Sequence, residues 1–213
     1  MNSSSGIVIF GDVIRSRQDP AGSSEWLRAL CADLQAAHDR ETIARFGFTQ
    51  GDELQGLLRP TADPVGVVLR AALAEDARPM RWAVAVGRIE PGEGPATQRT
   101  GEAFLAARAA LDETRRRRTN LRIVTGAPAV DELLDDLAPV LAAALDELSP
   151  TQRRVAGLIL VEGLRRSEVA DRLHVSRATI SVAAERGGVP SLERLSRAIR
   201  TLLDRSRSAG PVT

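Results

Sequence analysis

Two aspartates forty positions apart carry the clearest chemistry in the first half of the chain. Asp12 ends an apolar run at residues 6–14, directly after Gly11, and Asp52, followed by Glu53, occupies a turn between two strand-like runs. Carboxylates brought together repel unless a cation lies between them, and Mg²⁺ takes one or two carboxylates together with phosphate oxygens. Asp12, Asp52 and Glu53 are therefore expected to share Mg²⁺, with a nucleotide as its companion. Taken alone, each aspartate reads as a turn or cap residue.

A second group lies in the last third. Ser176 is placed to cap a helix in which Ile180 packs inward while Arg177, Thr179 and Ser181 point outward. Such a helix fits the major groove, about 12 Å wide, with its first turns at the base edges. Ser176 and Thr179 would meet phosphates or bases, and Arg177 would read guanine. Arg166, Ser167 and Arg186 complete the candidate DNA-binding set, and the expected partner is double-stranded DNA.

These residues need elements to position them. Residues 6–14 are β-branched and apolar and read as a buried strand. Ser23 and Ser24 are expected to cap a helix running to about Arg40, with Trp26, Leu27, Leu30, Leu34 and Ala37 on one face. Residues 43–49 and 53–58 flank Gln50, Gly51 and Asp52 as a β-hairpin. A helix over 65–75, a strand over 80–89, a helix over 101–117 and a strand over 121–124 follow. The order β-α-β-β-α-β-α-β predicts an α+β sandwich of ferredoxin-like palm type. A connecting helix over 131–147 is the expected relay, as the sole link to an all-α helix-turn-helix domain. The boundaries are 1–127, 128–148 and 149–213. The arginines at 115–118 read as a solvated helix end, where positive charge suits the macrodipole.

The helical part opens with a strong start. Ser149 caps, Pro150 takes the first turn, and Gln152 reaches back. Ser167 is expected to cap the next helix, with Val169, Ala170 and Leu173 inward and His174 and Val175 in the turn. A final helix over 190–205 carries Leu192, Leu195, Ile199, Leu202 and Leu203 on one stripe, to cover this unit's own core or to form a dimer interface. Helix-turn-helix proteins commonly read paired half-sites as dimers, so a homodimer is expected.

Composition limits the alternatives. The 213 residues carry a net charge of +1, yet residues 149–213 hold twelve arginines against six acids, a net of +6. The remainder is then at −5, so the basic character belongs to the segment expected to meet a polyanion. No apolar run approaches the roughly 20 residues that span a bilayer, and the first residues lack a signal-peptide pattern. The single cysteine, Cys31, reads as a packed residue, and a cytoplasmic location without membrane contact is expected.

Three resemblances follow from these motifs. The stretches 148–153, 168–170 and 175–181 resemble the helix-turn-helix of sigma-factor region four and of response-regulator effector domains, from which His174 departs where glycine is usual. Gly11-Asp12-Val13-Ile14-Arg15-Ser16-Arg17 and Gly51-Asp52-Glu53-Leu54-Gln55-Gly56 are similar to the two motifs of the SatD family, over residues 6–125. More distantly, the palm resembles class III and GGDEF-type nucleotidyl cyclases, with Gln50-Gly51-Asp52-Glu53-Leu54 close to the GGDEF signature. That resemblance implies a purine nucleotide with Mg²⁺. Gly11, Arg15, Ser16, Arg17, Gly51 and Arg108 would surround its phosphates, since guanidinium suits bidentate phosphate contact. It also places Phe104 and Phe48 where cyclases carry a catalytic Asn and a purine-selecting Lys, which removes partners for the developing charge. The expectation is a transcriptional regulator that senses a nucleotide and has no catalytic residues. The alternatives are a divergent cyclase or nucleotidyl transferase tethered to DNA, and a palm that only dimerises the DNA-binding part.

Overall fold

A computed structural model describes residues 4–49 and 52–208. The apolar run at the start forms β1 (Ser4–Val13), and a short 3-10 turn leads to α1 (Pro20–His38). The hairpin strands are β2 (Thr42–Phe48) and β3 (Glu53–Leu58), followed by α2 (Pro64–Ala72) and β4 (Met80–Ile89). Then come α3 (Glu102–Arg117), β5 (Leu121–Val124) and α4 (Pro128–Asp146). The chain continues through α5 (Pro150–Leu160), α6 (Arg166–Leu173), α7 (Arg177–Arg186) and α8 (Val189–Ser208). It is an α+β protein with one five-stranded sheet, in the element order read from the sequence.

The strands lie in the order β2-β3-β1-β4-β5. β1 is central and antiparallel to both β3 and β4, while β4 and β5 are parallel, joined across α3. Period-2 alternation divides the side chains between two faces. Ile7, Ile9, Leu54, Leu58, Trp82 and Val84 face α1, α2 and α4 in the larger core. Val8, Phe10, Leu57, Ala83 and Ala85 meet Ala103, Phe104, Ala107 and Leu111 of α3 in the smaller one.

Local chemistry sets the helix ends, with two departures from expectation. Asp19, not Ser23 or Ser24, caps α1 by accepting from the Gly22 N–H at 3.0 Å. Pro20 fixes the first helical position, so the helix begins before the serines, and Ser23 is buried, accepting from Arg78. Ser149 and Gln152 form the expected capping box of α5. For α6 the cap is Arg165, whose N–H donates to Glu168 at 2.6 Å, so Ser167 is inside the helix rather than at its cap. His174 adopts φ 53, ψ 43 after α6, in the left-handed region that histidine tolerates.

The larger core runs without a break from the sheet through α1, α2 and α4 into α5–α8. α4 is consequently not the sole link between the two parts. At Gly157 an added Cβ would meet the Leu73 carbonyl at 3.1 Å, so α5 lies directly against the end of α2. Arg200 of α8 pairs with Asp63 through Nε at 2.9 Å and Nη2 at 2.8 Å, and Arg207 donates to the Ala62 carbonyl at 2.7 Å. The stripe of α8, through Leu192, Ile199, Leu202 and Leu203, also joins the core it shares with α4 and α2. No helix among the described residues is long and apolar enough to cross a membrane.

Candidate functional site

The first candidate site lies at one end of β1, β3 and β4. Asp12 stands opposite both Glu53 of β3 and Arg81 of β4 in the sheet register. Asp12 and Glu53 are only 6% and 8% exposed. Two like charges directly opposite each other destabilise a sheet unless something neutralises them. α3 does so with two arginines seven residues apart, on one helix face. Arg108 holds both carboxylate oxygens of Glu53, which also accepts from Gln55 at 2.8 Å. Arg115 reaches Asp12 through Nη2 at 3.1 Å and Nε at 3.4 Å, while Arg81 adds a longer contact at 3.5 Å. The Arg108 guanidinium also lies 4.8 Å from the Phe10 ring centroid, a cation–π distance.

These pairs neutralise both carboxylates with guanidinium rather than with a metal cation. Among the described residues, no group of three or more His, Cys, Asp or Glu is placed to hold a metal ion. The arrangement does not fit the Mg²⁺ cage expected of Asp12, Asp52 and Glu53. Asp52 has its own partner: it accepts from the Ser16 hydroxyl, and its carbonyl accepts from the Val13 N–H at 3.1 Å. Arg108, expected at a phosphate, is held by Glu53. Gly11 is buried, and a Cβ there would lie 2.7 Å from Met80 Cε and 2.8 Å from Trp82, so its glycine serves sheet packing. Arg15 adopts the left-handed region at φ 61, and both it and Arg17 are exposed, without a carboxylate partner among the described residues. Gly51 lies outside the described residues, as does Gln50.

The sequence reading missed Arg115 and Arg81. Arg115 carried a signal, its seven-residue spacing from Arg108, but the adjoining arginines masked it. Arg81 becomes visible only once the β1–β4 register is known. Phe104 packs in the smaller core beside Phe10, with ring centroids 6.1 Å apart, and Phe48 lies 6.0 Å from the Arg28 guanidinium.

The second candidate site is the outer face of α7. Ile180 and Ala184 are buried, Ser181 is half-buried, and Arg177, Thr179 and Arg186 are exposed. Ser176 caps the helix, accepting from the Thr179 N–H at 3.1 Å, and the two hydroxyls are 2.8 Å apart. Arg177 and Arg186 have no carboxylate partner among the described residues. Arg166 does: it is half-buried and bound to Glu185 at 2.9 Å, tying α6 to α7. Ser167 is half-buried in α6. Ser176, Arg177, Thr179 and Ser181 thus cluster on the first turns of α7, with Arg186 about 13 Å further along the helix. Val182, half-exposed on the same helix, was not anticipated.

No protein-family model matches the chain, and no curated protein matches it. The chain is similar to a solved bacterial light-regulated adenylyl cyclase at 14% identity and a TM-score of 0.43, covering 58% of this chain and 77% of that one. A second such bacterial cyclase aligns at 13% identity and a TM-score of 0.41, covering 57% of this chain but 43% of its own.

Proposed function

We propose that the chain is a DNA-binding regulator in which α6 and α7 form a helix-turn-helix and α7 enters the major groove. The observation that carries this reading is the outer face of α7. It presents Thr179 and Arg186 away from the side locked by Ile180 and Ala184, with Arg177 exposed at its first position, and neither arginine is ion-paired among the described residues. Arg177 would read a base, Ser176, Thr179 and Ser181 would contact phosphate or base edges, and Arg186 would track the backbone. Arg166 contributes indirectly by holding α7 through Glu185. Apolar contact from Val182 suits a thymine methyl group. The net charge of +6 over residues 149–213 supports the same partner. Binding of the purified chain to labelled duplexes, followed by fluorescence anisotropy across salt concentrations, tests the reading.

A second reading gives the α/β part a nucleotide sensor, without the Mg²⁺ cage at Asp12, Asp52 and Glu53. The feature that favours it is Arg15, a non-glycine residue held in a left-handed conformation beside the Ser16–Asp52 pair. Such strain persists where the surroundings enforce it, commonly at functional sites. Arg15 and Arg17 would take the phosphates. A nucleotide would also have to exchange with the Arg108–Glu53 and Arg115–Asp12 pairs, so binding and loosening of α3 would be coupled. A thermal-shift panel of purine nucleotides with and without Mg²⁺ tests this, since a ligand bound only by the folded state raises stability. Turnover of a nucleoside triphosphate lost in Asp12→Ala would instead establish the enzyme alternative.

A further inference from the structure

A cleft of about 420 Å³ opens between α1, α2, α5 and α6, a size in the range of small-ligand pockets. Its apolar lining is the Trp26 indole with Leu30, Leu73 and Leu158. The close approach at Gly157 joins the two sides, because it brings α5 against the Leu73 carbonyl at the end of α2.

One set of lining charges is already satisfied. Asp33 of α1 accepts from Nε and Nη2 of Arg70, both at 2.6 Å. Glu162, just past α5, adds to the field that holds Arg70 charged, and itself pairs with Arg172 of α6. Two carboxylates and two guanidiniums thus alternate across α1, α2, α6 and the turn after α5 with no net charge. Glu75, Asp76 and Arg154 remain, exposed and without an ion-pair partner among the described residues. Glu75 and Asp76 follow the C-terminal end of α2, where helix carbonyls add negative partial charge. The uncommitted balance is negative, next to an indole.

We propose that this cleft binds a small organic cation, its apolar body against Trp26 and its amine toward Glu75 and Asp76. The ligand would touch α1 and α2 on one side and α5 and α6 on the other, fixing α6 relative to the sheet. An effect on DNA affinity rests on the reading of α6 and α7 given above; the binding itself does not. Any such effect requires that the cleft differ between DNA-bound and free chain.

Phenylbutylamine and phenylbutyrate, matched in body and opposite in head charge, test the proposal on the full chain without DNA. The amine is expected to raise Tm in a concentration-dependent way and to alter tryptophan emission, while the carboxylate does neither. The exposed double variant Glu75→Gln with Asp76→Asn should keep its fold and weaken the amine by about tenfold, the sum of two exposed charge contacts. Equal responses to both probes, a response to the carboxylate alone, an amine response unchanged in the double variant, or no response to either overturns it. A chain that binds duplex DNA but not the amine sinks the cleft alone; one that binds the amine but not duplex sinks the DNA reading alone.

Discussion

Asp12 and Glu53 meet across β1 and β3 with little water to solvate them, so the guanidiniums of Arg115 and Arg108 hold the strand ends together. Arg115→Met leaves Asp12 with only the 3.5 Å contact from Arg81. It is expected to destabilise the fold by about 1–3 kcal/mol, the cost of an under-satisfied buried acceptor, measurable by urea unfolding. Adding Asp12→Asn should recover part of that loss, because the two residues interact directly. At Cys31, burial pushes the thiol pKa up to about 12. The thiolate is the reactive form, so a thiol-specific reagent should label Cys31 slowly in the native chain at neutral pH and rapidly after unfolding. On α7, Arg177→Ala should weaken binding to a preferred duplex by about 1–3 kcal/mol, with little change on unrelated DNA. At this scale the sequence singled out Asp12, Asp52 and Glu53 as an expected Mg²⁺ set, whereas the structure pairs Asp12 and Glu53 with arginines and Asp52 with Ser16. The sequence did not mark their partners. Arg115 reaches Asp12 only after α3 has docked on the sheet, and local pattern carries no record of that docking.

Among the elements, α3 depends most on a single backbone position. Gly101 precedes it at φ 136, ψ 174, and a Cβ there would lie 2.7 Å from Ile89 Cα and 2.9 Å from the Arg88 carbonyl. Gly101→Ala therefore adds a backbone clash to a conformation essentially reserved for glycine. Its expected cost is at least about 2 kcal/mol, visible as a lowered Tm and earlier loss of near-ultraviolet circular dichroism. The strands β4 and β5 were legible to the residue, because apolar β-branched runs there stop abruptly at turn-forming or charged residues. The capping box of α5 was legible for a similar reason: Ser149, Pro150 and Gln152 act within one turn. Where several cap residues compete, the sequence is less decisive. Asp19 prevails over Ser23 and Ser24 through Pro20, and Arg165 precedes α6 because Glu168 reaches back to its N–H.

Across the whole molecule, the unbroken core makes the sheet and the helical segment one packed body. α8 is pinned to the start of α2 by Arg200 and Arg207, and α5 abuts the end of α2 at Gly157. Thermal unfolding should accordingly give one transition, coincident by far-ultraviolet circular dichroism and tryptophan fluorescence; two separated transitions would contradict a shared core. The sequence showed the charge asymmetry and the amphipathic stripe of α8, but not which surface the stripe covers, since both parts offer apolar faces of similar composition. The central claim, that α7 reads duplex DNA, is tested most directly by selection of bound duplexes from a random-sequence pool. The account predicts an enriched sequence bound at least about 10³-fold tighter than bulk DNA. Its affinity should fall as salt rises, and Arg177→Ala should lose the preference. A folded chain that enriches no sequence and shows no affinity for duplex DNA even at low salt would contradict it.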